Sequence, residues 1–342
     1  MKIQVQQGRT LIELMVVVAI SLIITTAVAI IFLSVNRTSR YSGELSGIDD
    51  SGRIAMYFLG NAIRQAGYAE IVTRDVTIGS IGANSRANTL MDNSLHLAGC
   101  RNRNFADTQI GEDVPVCPPT AGAAFDSLML SYQGTNVVAP EQTDVTDCLG
   151  NEAVDRALTA THKGRDVVPD GVNRPMVQNF YFVVTGEDGV NTLMCRAGNA
   201  AAQALIPNIV QFRVYYGFDN ARFASPDNPP AANTPSGNLH FLPSAVQTYV
   251  DATFLNDQTD RTVAWDHVVS VYVCIVIRST PGSRELTTGV SAQFTGCPAN
   301  AAGVTAALPM VDNPDGGVYR TYTQIFTVRS RATPNPSSFA PV

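Results

Sequence analysis

A single carboxylate stands inside a long apolar stretch near the start of the chain. Glu13 is the one charged residue between positions 11 and 33. An ionised side chain costs about 2.5–3.5 kcal/mol near the middle of a membrane and less near one end, so a functional partner is expected for it. The sequence therefore predicts that Glu13 pairs with a positive group. The candidate is a free amino terminus at Arg9, which requires the chain to be cut after Gly8.

Thiol chemistry is the second possibility, because the chain contains an even number of cysteines. All of them follow the apolar stretch: Cys100, Cys117, Cys148, Cys195, Cys274 and Cys297. An even number outside the cytoplasm favours disulfides, and six cysteines allow 15 pairings. Zinc is the alternative, but no C-x2-C spacing and no histidine cluster supports it.

Catalytic and ligand-binding patterns are weak throughout. The histidines are scattered, at His96, His162, His240 and His267. The sequence contains no H-E-x-x-H, G-x-S-x-G or P-loop motif. The Trp265-Asp266-His267 segment is expected to lie on a strand, where neighbouring side chains face opposite sides, and to be a structural contact beside a buried tryptophan. The acidic segment 312–316 does not have EF-hand spacing and predicts a turn. We therefore expect no enzymatic activity, no cofactor and no metal.

Composition limits the possible partners. The 342 residues carry a formal net charge of −6, and only Lys2 and Lys163 are lysines. Without a basic stripe the chain is a poor nucleic-acid binder, because phosphate affinity requires clustered cations. Charged residues make up 15% and apolar residues 45%, which excludes global disorder.

The element that carries Glu13 is long enough to cross a membrane. Residues 11–33 would form a helix of about 34 Å, against a hydrocarbon core of about 30 Å. A buried core helix would rarely be apolar for so long. A cleaved secretory signal has a shorter apolar region followed by an A-x-A site, which is not found here. We therefore predict a membrane-spanning helix.

An amphipathic helix is predicted to follow, over residues 34–67. One face recurs at three- and four-residue steps: Leu45, Ile48, Ala55, Phe58, Leu59, Ala62 and Ile63. Four glycines weaken the prediction, at about 1 kcal/mol each relative to alanine: Gly43, Gly47, Gly52 and Gly60. Gly67 is a plausible helix stop. This half is expected to lie on the chain's own globular part, while the membrane half projects.

The remaining residues alternate between short strands and turn signals. Strand candidates, rich in Val, Ile, Tyr and Phe, are residues 94–98, 127–132, 179–185, 192–196, 209–218, 267–277 and 319–328. The segment Gly186-Glu187-Asp188-Gly189 predicts a hairpin turn between two of them. Residues 225–237 predict a loop, and the tail from 333 is rich in proline and serine. The pattern predicts an α+β protein, with a long N-terminal helix on a β-rich domain.

The run Gly8-Arg9-Thr10-Leu11-Ile12-Glu13-Leu14-Met15 resembles the class III signal of type IV pilins and of type II secretion pseudopilins. The resemblance implies that a prepilin peptidase cuts between Gly8 and Arg9 and methylates the new amino terminus. It also implies that Leu11, Ile12, Leu14 and Met15 begin an assembly helix and that Glu13 is a docking charge for a neighbouring subunit. The first mature residue is usually Phe, whereas here it is Arg9.

Most of the chain resembles the PilW-like minor pilins. The resemblance is carried by segments 51–68, 126–128, 146–150, 179–181, 193–195, 209–219, 265–278 and the closing strand to Arg329. It implies a pilin-like fold, other minor pilins, the major pilin and a large tip adhesin as partners, and a place at or near the pilus tip. The inserts 84–117 and 220–256 match nothing in that family.

These observations divide the chain into a leader (1–8), a membrane and assembly helix (9–33), an amphipathic stalk (34–67), a periplasmic domain (68–332) and a tail (333–342). Of the disulfides, Cys148–Cys195 is favoured because both cysteines lie in family-like segments with a hairpin between them. Cys100–Cys117 would close a local insert. Cys274 then pairs with Cys297, or stays buried and reduced.

The size of the globular part favours a role in few copies. The 274 residues from 69 to 342 are bulky for repeated stacking in a filament. The resemblance therefore implies an inner-membrane protein with one span that helps to initiate type IV pilus assembly. The alternative is a minor pseudopilin of type II secretion, which the N-terminus cannot separate from a pilin. A membrane-anchored periplasmic enzyme or binding module is the alternative from another class.

Overall fold

The computed structural model describes residues 11–68, 95–106, 115–119, 124–133, 146–151, 155–156, 174–198, 200–219, 246–259, 261–279, 293–313 and 317–328. Gly8, Arg9, the leader, the segment 225–237 and the tail from 333 lie outside these residues. Most of the inserts 84–117 and 220–256, and residues 314–316 of the acidic segment 312–316, lie outside them as well.

One continuous helix forms the N-terminal part of the described chain. Helix α1 runs over Leu11–Gln65, a length of 55 residues, so the predicted membrane and stalk helices are a single element. At about 1.5 Å per residue it is roughly 80 Å long. Gly67 follows with a φ of +74°, a left-handed conformation that favours glycine and commonly ends helices. The Gly67 amide then donates to the carbonyl of Ser131, 2.9 Å away, which ties the helix end to the first sheet.

The first sheet is antiparallel, in the order β1-β2-β4-β5-β6, with β3 beside one end of β4. Its strands are β1 (Leu97–Cys100), β2 (Ser127–Gln133), β3 (Asp155–Arg156), β4 (Arg174–Thr185), β5 (Asn191–Ala197) and β6 (Gln203–Ile206). The hairpin predicted at 186–189 joins β4 to β5: the Gly186 amide donates to the Val190 carbonyl, and Gly189 has a φ of +73°.

The second sheet is also antiparallel, in the order β12-β9-β7-β8. Its strands are β7 (Ile209–Phe218), β8 (Thr248–Val250), β9 (Val268–Arg278) and β12 (Tyr319–Thr327). One face of this sheet shares a continuous apolar core with α1 and the first sheet. The other face carries Tyr215, Tyr272 and Cys274, which pack with Phe294 and Cys297. Strand β9 is therefore buried on both sides, along its whole length from 268 to 277.

A small pair of strands covers part of that second face. Strand β10 (Gln293–Thr295) pairs with β11 (Met310–Asp312), and a 3-10 helix at Ala301–Thr305 lies between them. The disulfide Cys274–Cys297 joins this cover to β9. The other two disulfides are Cys100–Cys117 and Cys148–Cys195. The structure thus has the pairs that the sequence favoured, and Cys274 is oxidised rather than reduced.

Two short helices precede β9, and the second includes residues that were predicted as strand. Helix α2 (Ala252–Asn256) begins after Asp251, whose carboxylate accepts the Phe254 amide. Helix α3 spans Arg261–Asp266, so the prediction that Trp265 and Asp266 lie on a strand was wrong, and β9 starts only at Val268. Trp265 is nevertheless fully buried, and its indole N–H donates to Asn256.

Candidate assembly site

The first half of α1 stands clear of the rest of the described chain. Leu11, Ile12, Leu14 and Met15 are 79%, 71%, 60% and 63% exposed, and exposed apolar side chains continue to Val35. The helix is long and apolar enough to cross a membrane, by length and composition. Side chains this apolar are stable only in lipid or against other apolar surfaces.

Glu13 lies in the first turn of α1 and is exposed. Within residues 11–68 it makes no ion pair, and its expected partners at Gly8 and Arg9 lie outside the described residues. The structure therefore positions one member of the predicted pair. The first turn of a helix favours a negative charge, because the partial charge of the free amides there is positive.

The polar residues of the apolar half have internal hydrogen-bond partners. The hydroxyl of Ser21 donates to the carbonyl of Val18, that of Thr25 to Ser21 and that of Thr26 to Leu22. Buried hydroxyls without partners would be costly in hydrocarbon. With these bonds made inside the helix, Glu13 is the polar group of this half that still requires an external partner.

The second half of α1 is anchored on β12 through Tyr322. Its hydroxyl donates to Asp49 Oδ1 at 2.6 Å and also lies 3.2 Å from the Ile48 carbonyl oxygen. A Cβ on Gly52 would lie 2.3 Å from the Tyr322 ring, closer than side chains approach one another. The absence of a side chain at Gly52 therefore lets the helix approach this ring closely. Burial, with the charge of Asp49, raises the pKa of Tyr322 above its usual value, so the hydroxyl remains a donor.

A second aromatic contact lies two turns further along. A Cβ on Gly60 would lie 2.4 Å from the ring of Phe326, which is buried. The guanidinium carbon of Arg64 stands 5.4 Å from the centre of the same ring, within cation–π range. Gly52 and Gly60 thus seat the helix against β12, a role that propensity alone did not reveal.

Gly43 and Gly47 have the opposite surroundings. No atom lies within 4 Å of a Cβ built at either position. They border a groove of about 300 Å³ where the helix leaves the globular part, with Pro207 and Ile277 on its other side. The prediction that these two glycines weaken the helix stands as a prediction, and no contact with the described residues offsets their expected cost.

One predicted helix contact was wrong. Phe58 was expected on the inner face, but it is 42% exposed and lies on the outer side with Ile54 and Tyr57. Met56 is buried in its place. Apolar residues occupy almost the whole circumference of the helix in this turn. The three- and four-residue periodicity therefore fits the inner and the outer face equally well and could not tell which one is buried.

A buried carboxylate holds the two sheets together behind this helix. Asp126, just before β2, accepts the amides of Asn102 and Val214 at 3.0 Å each and the guanidinium of Arg213 at 3.0 Å. Burial raises the pKa of Asp126 above 3.8, against the lowering effect of Arg213 and of these hydrogen bonds. Asp126 belongs to one of the family-like segments, but the sequence did not predict this role, because its partners come from distant segments.

The disulfides act as structural links between segments of the β-rich domain. All six cysteines are oxidised, so none provides the thiolate that zinc requires. Within the described residues, no group of three or more His, Cys, Asp or Glu side chains could hold a metal ion. His267 contacts the ring of Phe218.

Comparison with protein families gives two matches. Residues 180–330 match the family described as Type IV Pilus-assembly protein W. Residues 4–29, which include Gly8, Arg9 and Glu13, match the prokaryotic N-terminal methylation motif. The second match confirms the resemblance to the class III signal, and the first confirms the resemblance to the PilW-like family over residues 180–330.

Among solved structures, a type IV-like pilin from Thermus thermophilus aligns over 86% of this chain and 98% of its own, with 12% sequence identity and a TM-score of 0.36. Comparison with curated proteins gives no match.

Proposed function

We propose that this chain, whose two ends carry the signatures of a type IV pilus-assembly protein, is a non-enzymatic minor pilin that helps to initiate the pilus and sits at or near its tip. The observation that carries the proposal is the division of α1. Its first half is apolar and exposed and has Glu13 in its first turn, whereas its second half is seated on β12. One half is built to assemble and the other to hold the globular domain.

The division suggests how the protein is inserted into a filament. Prepilin peptidase cuts after Gly8, and the subunit waits in the inner membrane with its apolar half in lipid and its sheets in the periplasm. There the Glu13 carboxylate has no counter-charge, which is costly. A neighbouring subunit brings a free amino terminus to it. Packing of the apolar helices provides most of the attraction, and the ion pair sets the axial register.

The bulk of the globular domain supports a low-copy position. Two sheets, the β10–β11 cover and three disulfides stand beside the one long helix, α1. A domain of this size is accommodated more easily at the end of a filament than along its length. The partners we propose are other minor pilins, the major pilin and a large tip adhesin.

The proposal is tested by replacing Glu13 in the producing organism. Glu13→Gln keeps the shape of the side chain and removes its charge, and Glu187→Gln is the matched control on an exposed turn. We expect Glu13→Gln to abolish recovery of the protein in sheared pili and to lower pilus number, with normal amounts in the membrane. Glu187→Gln should behave as wild type.

Three results would contradict the proposal. The first is normal incorporation of the Glu13→Gln protein. The second is recovery of the wild-type protein as the bulk subunit of purified pili. The third is a deletion strain that retains pili and twitching but loses secreted proteins, which would identify a pseudopilin of type II secretion instead.

A further inference from the structure

Strand β12 forms one edge of the second sheet, and its outer main-chain groups can be identified from its pairing. The Ser279 amide donates to the Val318 carbonyl at 2.8 Å, and the Val328 amide donates to the Val269 carbonyl at 3.0 Å. In an antiparallel ladder the residues that bond to the neighbouring strand alternate along the chain. The even-numbered residues of β12 therefore bond to β9, and the odd-numbered ones direct their N–H and C=O groups away from it.

The outward groups of Thr323, Ile325 and Thr327 have no hydrogen-bond partner among the described residues. Their side chains are exposed as well, and Ile325 is 52% exposed. The opposite edge of β12 pairs with β9 over all nine residues without a register shift. This part of β12 is therefore a straight, open edge.

The other edge strands are protected against the addition of a further strand, whereas β12 lacks this protection. The described strands at the ends of the two sheets, β1, β6 and β8, are four, four and three residues long. Short edges, bulges, prolines and charges are the usual means of preventing strand addition. Strand β12 has nine residues, Tyr-Arg-Thr-Tyr-Thr-Gln-Ile-Phe-Thr, with no proline or glycine and one charge near its start.

The side chains define what could pair there. Tyr322 and Phe326 point to α1, so the helix covers one face of the strand. On the opposite face Ile325 stands beside Tyr272 of β9, between Thr323 and Thr327. An added strand would meet an apolar position flanked by two hydroxyls, and main-chain groups that match any extended backbone.

We propose that the outer edge of β12, from Thr323 to Thr327, binds an extended segment of a neighbouring assembly protein as an additional β-strand. The segment is uncharged over about five residues and places a β-branched or other apolar side chain beside Ile325. The identity of the partner as an assembly protein rests on the proposed function, whereas the strand addition itself rests on the edge.

The experiment uses the full chain in the producing organism, with a photo-crosslinking amino acid at position 323 or 327, followed by sequencing of the cross-linked peptides. We expect both positions to give the same segment of one other protein, at residues about four apart, as strand pairing dictates.

Ile325→Pro removes one outward N–H without breaking the β9 ladder, and Ile325→Val is its control. Cross-linking should fall at least about fivefold with proline and stay at the wild-type level with valine.

A second measurement does not depend on the proline variant. Hydrogen exchange of the Ile325 and Thr327 amides should be at least about tenfold slower in the assembled wild-type protein than in the purified chain. Cross-links to scattered surfaces, to lipid, to a second copy or to this chain's own residues would overturn the inference, as would equal exchange in both states. If the cross-linked segment belongs to a protein outside pilus assembly, the proposed function fails while strand addition stands.

Discussion

The hydroxyl of Tyr322 on β12 donates a hydrogen bond to the carboxylate of Asp49 on α1, with 2.6 Å between the hydroxyl oxygen and Oδ1. The two residues are 273 positions apart in the chain. Their contact lies one turn before Gly52, at the point where the projecting helix first becomes buried at Ile48. The bond therefore fixes the position on the helix from which the apolar half projects.

Removing this hydroxyl should loosen the helix on its sheet. We expect Tyr322→Phe to lower the free energy of unfolding of the full chain in detergent by about 1–2 kcal/mol, because a hydrogen bond to a charged acceptor is lost. Urea denaturation followed by circular dichroism measures this. Tyr57→Phe is the control, since Tyr57 is 67% exposed and should be neutral. Equal stability of all three proteins would show that the bond contributes nothing.

Alanine substitutions at the four glycines of the stalk should change the stability of the protein in opposite directions, two lowering it and two raising it. Gly52→Ala and Gly60→Ala place a methyl group against the rings of Tyr322 and Phe326, and each should cost about 1–3 kcal/mol of stability. Gly43→Ala and Gly47→Ala meet no atoms and should each stabilise the helix by up to about 1 kcal/mol. The urea midpoints of the four variants check this. A uniform direction of change would contradict the seating of α1 on β12.

Asp126 should give the chain a specific pH dependence. Asp126→Asn removes the ion pair with Arg213 and turns an amide NH2 donor toward N–H donors, so it should cost about 2–4 kcal/mol at neutral pH. The pKa of Asp126 is raised in the folded state. The folded wild type therefore holds this proton at a higher pH than the unfolded chain, and its contribution is largest below pH 3.8 and falls as pH rises through the folded value. As pH rises from 3.8 to the folded pKa of Asp126, the stability difference between wild type and variant should shrink. Above that pH the difference should stay constant. A difference that grows with pH would show that the folded pKa is depressed.

The disulfide between β9 and its cover should be a major source of stability. Cys274 and Cys297 are 23 residues apart, and closing a loop of that size is worth about 3 kcal/mol in the chain-entropy model. We expect the double alanine variant to lose about this amount, with the other two disulfides intact. Peptide mapping under non-reducing conditions verifies the remaining pairs, and an unchanged urea midpoint would contradict the prediction.

Local patterns predicted the long elements well. The apolar run, the strand candidates at 209–218 and 319–328 and the hairpin at 186–189 correspond closely to α1, β7, β12 and the β4–β5 turn. Strand β9 was visible as a continuous apolar run, because both of its faces are covered. In each case the signal is local, since the residues that determine the element are its own.

The failures have three physical origins: very short strands, a helix turn that is apolar all round, and contacts between distant segments. Strands β6, β8, β10 and β11 have three or four residues each, too few for alternation to appear. Gly52 and Gly60 are unfavourable in a helix by propensity and necessary by packing. Phe58 belongs to an apolar periodicity but faces outward. Asp126 acquires its role from Arg213 and Val214, which lie 87 and 88 residues away.

Trp265 gives the molecule an optical reporter with a defined location. It is the single tryptophan of the chain, it is fully buried, and its ring lies edge-on to Tyr216 with centroids 4.7 Å apart. The intrinsic indole fluorescence of the protein therefore originates entirely within the β-rich domain and not in the helix. We expect insertion of α1 into lipid to leave this emission unchanged and opening of the domain to shift it to longer wavelength. Folding of the domain and embedding of the helix can thus be followed as two separate events in one sample.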